Sequence, residues 1–264
     1  MALIESGFYS HAIGRYTNVN VFLPLKEIDF MADGFSGIPE KFPVLYLLHG
    51  LSGNHTNWVR YSNIERYAEK KGIAVVMPQM DNGYYTDNPY SGRYYDYLTR
   101  ELPETMERLF PISGERSKRY IAGLSMGGYG ALIGGLGRPD LYACCATLSG
   151  RTGVMERGEG MDIGIEKNRW LVGAFGGNME YYDADKHEPC HMLRRLAEDK
   201  TPMPRLFITC GTEDSMYTDT THIRDVAASL GLDMTYWEAP GVHDWDFWDA
   251  AIQKVLAWLP DNVR

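Results

Sequence analysis

The chain has little cysteine, no long apolar run and no concentration of positive charge, and each shortage excludes a class of protein. Its four cysteines, Cys144, Cys145, Cys190 and Cys210, show no Cys-x-x-Cys spacing, so neither a zinc ribbon nor a disulfide scaffold is indicated and reduced core thiols are expected. Apolar stretches such as Val44 to Leu48 fall far short of the roughly 20 residues a membrane helix needs. With 26 Lys and Arg against 35 Asp and Glu the net charge is −9, and no basic cluster occurs. That balance argues against nucleic-acid and anionic-membrane partners. Met1 to Ser6 contains no basic segment leading into an apolar one, so the sequence predicts no export signal and a cytoplasmic protein.

Phosphate-loop and dinucleotide fingerprints are also missing, which leaves no cofactor implied. His187-Glu188-Pro189-Cys190-His191 offers three metal-ligand residue types, but Pro189 interrupts the helical i, i+4 presentation and no second ligand cluster follows. A solvated loop is the expectation there, with no metal, since zinc needs three or four convergent ligands.

What is present is an α/β rhythm. The length of 264 residues, with 44% hydrophobic and 23% charged residues, suits one soluble domain of about 250 residues. Strand patterns cover 42–48, 73–77, 119–124, 143–148, 205–210 and 234–238. Helical patterns cover 63–71, 94–110, 126–136, 217–230 and 244–259. Such alternation predicts a largely parallel twisted sheet with helices on both faces. Alternating residues at 4–9 and 19–23 predict an N-terminal antiparallel hairpin, and Lys26 to Lys41 reads as an irregular loop. Between 151 and 204 the rhythm lapses, with helical patches at 165–175 and 181–200. This reads as a helical insertion over the C-terminal edge of the sheet, within a single domain spanning 1–264.

The most informative segment is Gly123-Leu124-Ser125-Met126-Gly127, a Gly-x-Ser-x-Gly elbow between a strand and a helix. A nucleophile on so sharp a turn leaves no room for side chains two positions away, and Gly123 and Gly127 have none. Ser125 is thus the candidate nucleophile. The Met126 amide, at the first turn of the next helix, is a candidate oxyanion donor.

A serine hydroxyl needs a base and an acid that orients it. In an α/β-hydrolase arrangement both follow the nucleophile, the acid first. Of the histidines after Ser125, His243 lies in a turn between the last strand and the last helix, where the base belongs. His187 and His191 fall in the insertion and His222 within a helix. For the acid, both Glu213 and Asp214 qualify by position in the loop after 205–210. A second oxyanion donor is expected from the Leu51 amide, in His49-Gly50-Leu51 after the first long strand, which gives His49 a structural part. Trp58, Tyr84 and Tyr85 lie in loops expected at the catalytic edge and are the candidate pocket walls. Trp245 and Trp248 could line the pocket, or, for Trp248, pack against the sheet.

These residues resemble the α/β-hydrolase family that groups tributyrin esterases, esterase D (S-formylglutathione hydrolase) and related carbohydrate acetyl and feruloyl esterases. The likeness is carried by 43–58, 82–87, 101–103, 123–130 and 243–248, and extends over nearly the whole chain. It implies an α/β-hydrolase fold, Ser125 as nucleophile, His243 as base, Asp214 as orienting acid, and the Leu51 and Met126 amides as oxyanion hole. Formylglutathione hydrolases usually carry histidine where this chain has Leu124 and Tyr129, and Trp245 and Trp248 after the base look like the bacterial tributyrin-esterase branch. A short-chain serine carboxylesterase is therefore implied, acting on a small-molecule ester. The alternatives are an S-formylglutathione-type thioesterase, a feruloyl esterase, or a catalytically silent scaffold. Relatives often self-associate, and the aromatic-rich loops would permit a homo-oligomer.

Overall fold

The computed structural model describes residues 2–25, 40–156, 169–177 and 179–261. Nearly all of the loop expected at 26–41, and the first residues of the helical patch expected from 165, lie outside the described residues.

Eight strands form the main sheet: β1 (Ala2–Ser10), β2 (Arg15–Leu23), β3 (Val44–Leu48), β4 (Ala74–Pro78), β5 (Arg119–Leu124), β6 (Cys144–Leu148), β7 (Arg205–Gly211) and β8 (Met234–Ala239). Their spatial order is β1-β2-β4-β3-β5-β6-β7-β8. β1 pairs antiparallel with β2, and β2 antiparallel with β4, while every neighbouring pair from β4 to β8 is parallel. The periodicities explain the arrangement. β1 alternates between partly buried and exposed residues as an edge strand does, whereas β3 to β6 are buried at every position, because helices cover both faces of a parallel sheet.

Successive residues of β3 divide between two cores. Val44, Tyr46 and Leu48 join the core on one face, with Leu132 and Ile133 of α4 (Met126–Gly137), Leu193 of α6 (Pro189–Glu198) and Ile223 of α7 (Tyr217–Ser229). Leu45 and Leu47 join Trp58 of α1 (Asn57–Tyr61), Ile64 of α2 (Ile64–Lys71) and Ile252 of α8 (Trp245–Trp258) on the other. The helical pattern from 94 forms with a π-turn at Tyr97–Glu101 before α3 (Leu102–Leu109).

α4 is buried on nearly every residue, as a helix apolar all round must be. Its outer side is covered by the insertion, which supplies the short α5 (Arg169–Ala174), a single turn at Ala184–His187, and α6. The insertion corrects one expectation. His187 to Cys190 is no solvated loop: His187, Glu188 and Cys190 are buried. Pro189 does not break the helix because it occupies the first turn of α6, where its missing N–H costs nothing. Glu188 instead turns inward and accepts from the Val154 N–H (2.9 Å), the Met155 N–H (2.9 Å) and the Tyr182 hydroxyl (2.8 Å). All four cysteines are unpaired and buried.

Candidate active site

Ser125 sits between β5 and α4 with φ 52° and ψ −118°, a left-handed conformation that a non-glycine residue adopts at a cost. Hydrogen bonds hold the strain in place: Ser125 N–H donates to Leu148 O of β6 (2.9 Å), and Ser125 O accepts from the Tyr129 N–H (3.2 Å). The flanking glycines are a steric requirement. A Cβ on Gly123 would lie 2.2 Å from Gly127 O, and one on Gly127 would lie 2.6 Å from the carbonyl oxygens of Leu48 and His49.

The loop after β7 and the loop after β8 converge on that elbow. Ser125 Oγ lies 2.9 Å from His243 Nε2, and His243 Nδ1 lies 2.9 and 3.0 Å from the two oxygens of Asp214. The Asp214 carboxylate is fully buried and also accepts from the Met216 N–H (2.7 Å). Burial works to raise its pKa, but hydrogen bonds from His243, the Met216 amide and Ser149 outweigh it and hold the carboxyl below its usual range. Asp214 is thus an anion that accepts from the Nδ1–H of the imidazole and fixes the tautomer in which Nε2 is free to accept from the serine hydroxyl.

Glu213, the other acid open in the sequence, is exposed and turned away from the imidazole. Its carboxylate accepts from the Gly241 N–H (2.5 Å). The sequence therefore put two acids side by side of which only Asp214 reaches His243.

The loop that carries Leu51 is built from below. His49 is buried, and its Nε2 accepts from the Met80 N–H (3.0 Å), so Nδ1 carries the proton and donates to Gly50 O (2.8 Å). Burial lowers its pKa to about 4, which keeps it neutral and structural at pH 7. Leu48 O accepts from Trp58 Nε1–H (3.0 Å) and His49 O from the Tyr85 hydroxyl (2.6 Å). A Cβ on Gly50 would lie 2.7 Å from Leu124 Cδ1 and 3.4 Å from Ser125 Cβ. That spacing brings the 50–51 backbone against the elbow, and Met126 begins α4 directly after Ser125.

The walls differ from expectation. A cavity of about 310 Å³ opens at Ser125 and His243, lined by Leu51, Leu124, Asn57, Trp245 and Trp248. Trp58, Tyr84 and Tyr85 do not line it. Trp58 and Tyr85 are 1% and 0% exposed, and Tyr84 is 8% exposed with its ring on Tyr129. Their polar atoms explain why: Trp58 and Tyr85 are consumed in bracing the Leu48-His49 backbone from inside. The actual indoles come from the N-terminal turn of α8, whose Asp244 cap accepts from the Phe247 N–H (3.1 Å). Trp248 stands edge-on to His243, with ring centroids 4.9 Å apart.

Ser149 was not anticipated. It follows β6 with φ 48°, and its hydroxyl accepts from Trp248 Nε1–H (3.2 Å). The available signal was a Ser-Gly pair at the carboxyl end of a central strand, where sites of open α/β sheets gather. Among the described residues one group of metal-ligating type occurs, Glu156, Cys190 and His222. Glu156 is already held by both terminal nitrogens of Arg194 (2.6 and 2.7 Å).

A family model described as "Putative esterase" matches residues 10–259. An acetyl esterase of Caldicellulosiruptor saccharolyticus is 29% identical over 270 residues, covering 98% of each chain. Among solved structures, the fluorophosphonate-binding serine hydrolase F of Staphylococcus aureus superposes with TM-score 0.83 at 30% identity, covering 98% of both chains. An S-formylglutathione hydrolase of Staphylococcus aureus gives TM-score 0.81 at 31% identity over 98% of both.

Proposed function

The chain belongs to the esterase family and is a carboxylic ester hydrolase, and from that premise we propose that it cleaves short-chain acyl esters, acetyl to butyryl, through an acyl-enzyme on Ser125. The observation that carries the reading is the unbroken contact from Asp214 through His243 to Ser125 Oγ, with 2.9 Å at each imidazole nitrogen, facing a cavity shared with the 50–51 loop.

His243 Nε2 takes the hydroxyl proton as Ser125 Oγ attacks the acyl carbon. The resulting oxyanion points at the Leu51 and Met126 amides, whose dipoles are in place before charge develops. His243 then gives that proton to the alcohol oxygen as the ester C–O bond breaks. A water, deprotonated by the same nitrogen, hydrolyses the acyl-enzyme and restores Ser125. Asp214 stays ionised throughout.

Because His243 must reach the departing oxygen, the alcohol lies on the Trp245 side. Trp245 also borders a second cavity of about 400 Å³ whose lining is polar, including Arg60, Ser62, Asn63 and Asp246. Trp245 thus borders both spaces, and the polar lining of the second favours a hydroxyl-bearing alcohol, an acetylated sugar among them. A cytoplasmic setting is supported by four unpaired thiols, and no helix among the described residues is long and apolar enough to cross a membrane.

A panel of p-nitrophenyl esters from acetyl to palmitoyl tests the acyl preference. Each methylene that fits is worth about 0.8 kcal/mol of burial, and a pocket suited to short acyl groups excludes chains longer than its depth, so kcat/KM should drop abruptly beyond butyryl. A profile rising steadily to palmitoyl contradicts the reading. S-formylglutathione preferred by orders of magnitude over simple acetates would return the chain to the thioesterase branch.

A further inference from the structure

We infer that Asn57 is a specificity-determining residue of this site: its side-chain amide donates to the alcohol portion of the ester, and so selects alcohols that carry an ether or hydroxyl oxygen close to the ester group. The inference rests on the reading of Ser125 and His243 given above and adds to it the alcohol that the site takes.

The cavity at Ser125 offers few polar side chains. Besides Ser125 and His243, the side chains that line it are those of Leu51, Ser52, Asn57, Leu124, Trp245 and Trp248. Leu51 and Leu124 are apolar, the Trp248 N–H is engaged by Ser149 (3.2 Å), and Ser52 is exposed. Trp245 supplies a ring packed edge-on against Trp58 and Trp248, with centroids 5.1 and 5.5 Å apart. Asn57 is half-buried.

Its amide has a fixed direction. A side-chain amide carries one acceptor oxygen and two N–H donors, whereas a backbone N–H can only donate. The Asn54 N–H lies 2.6 Å from Asn57 Oδ1, so the atom turned to the loop must be the oxygen. That leaves Nδ2, whose two hydrogens meet no acceptor among the described residues. Toward the cavity Asn57 is therefore a donor and not an acceptor.

The loop holds this arrangement before any ester arrives. The Asn57 N–H also donates to Asn54 O (3.1 Å), and Asn54 Oδ1 accepts from the Thr56 N–H (2.8 Å) and the Thr56 hydroxyl (2.6 Å). Little ordering is left for the substrate to drive. The neighbouring Trp58 touches Trp245, which puts Asn57 on the side of the cavity where the departing alcohol lies. An oxygen there replaces the water that the amide gives up on binding, while a methylene strips the water and returns nothing.

The test compares 2-methoxyethyl acetate with n-butyl acetate, which share an acyl group and a chain length and differ by one oxygen in place of a methylene. An ether oxygen can only accept, so it reads a donor alone. The ratio of kcat/KM for the two should be about fivefold higher in the native chain than in Asn57→Ala or Asn57→Asp, as expected for one hydrogen bond. Asn57→Asp keeps the oxygen that holds the Asn54 N–H and removes both donors, which separates the loop from the readout. Fluorophosphonate labelling of Ser125 should persist in both variants. The same ratio in all three proteins overturns the inference, as does an Asn57→Asp variant with the native ratio, since the residue would then only support its loop. A native chain that is labelled by fluorophosphonate but cleaves neither acetate, nor p-nitrophenyl acetate, would overturn the short-ester reading and the inference with it.

Discussion

Glu213 and Gly241 are joined twice. The Glu213 N–H donates to Gly241 O (3.0 Å), and the Gly241 N–H donates to Glu213 Oε2 (2.5 Å). The acid that does not touch the imidazole thus ties the loop after β7, which carries Asp214, to the loop after β8, which carries His243. Its carboxyl is held below the usual range by the Gly241 amide.

From that clip a graded series is expected. Glu213→Gln keeps an acceptor oxygen and should leave kcat within about twofold, while Glu213→Ala should lower it several-fold by loosening the histidine loop. Asp214→Asn should lower kcat by roughly 10⁴, because the imidazole is then held in the wrong tautomer. Steady-state kinetics of the three variants checks the order. A damaging Glu213→Gln beside a silent Asp214→Asn would exchange the roles of the two acids.

Stability should fall as pH drops from about 6.5 to about 4. Burial lowers both His49 and His187 to about 4 in the folded chain, against roughly 6.5 when unfolded. Between those values the unfolded state binds more protons, so each group's contribution is fully present above about 6.5 and is lost on acidification at up to about 1.4 kcal/mol per pH unit. His187 Nδ1 accepts from the Asp183 N–H (2.9 Å). His187→Asn, which can accept the same bond without titrating, should remove about one proton from the slope. Urea unfolding at a series of pH values measures it, and an unchanged slope contradicts the assignment.

Tyr85→Phe should lower stability by about 1 kcal/mol, the net worth of one hydrogen bond with its acceptor left buried. It should also reduce kcat more than it raises KM. The hydroxyl it removes is the donor to His49 O (2.6 Å), in the backbone that leads to the Leu51 amide. Thermal unfolding and ester kinetics on the same preparation test both parts. A rise in KM alone would make Tyr85 a substrate wall after all.

The contrast between legible and illegible residues follows from how each acts. The elbow could be read because Gly123 and Gly127 are demanded by local sterics, and the parallel strands because β3 to β6 are short, mainly apolar segments between helical patterns. His243 was legible through chain order. The pocket walls were not, because whether an indole faces a cavity or a backbone carbonyl depends on tertiary direction: Trp58 and Trp245 are themselves in contact, with centroids 5.1 Å apart, yet only Trp245 lines the cavity. The His187 to Cys190 stretch misled for a related reason. A proline after polar residues reads as a break, but here it starts α6 against a core that the insertion itself completes. The Ser149 contact was invisible because its partner, Trp248, lies some hundred positions later in the chain.

The most direct measurement is kcat/KM for p-nitrophenyl acetate in Ser125→Ala, with circular dichroism to establish that the variant is folded. Ser125 Oγ is the atom that His243 Nε2 meets at 2.9 Å, and triad members act as a unit. A loss on the order of 10⁴ or more in the folded variant is the expected result. Turnover near that of the native chain would contradict an acyl-enzyme on Ser125.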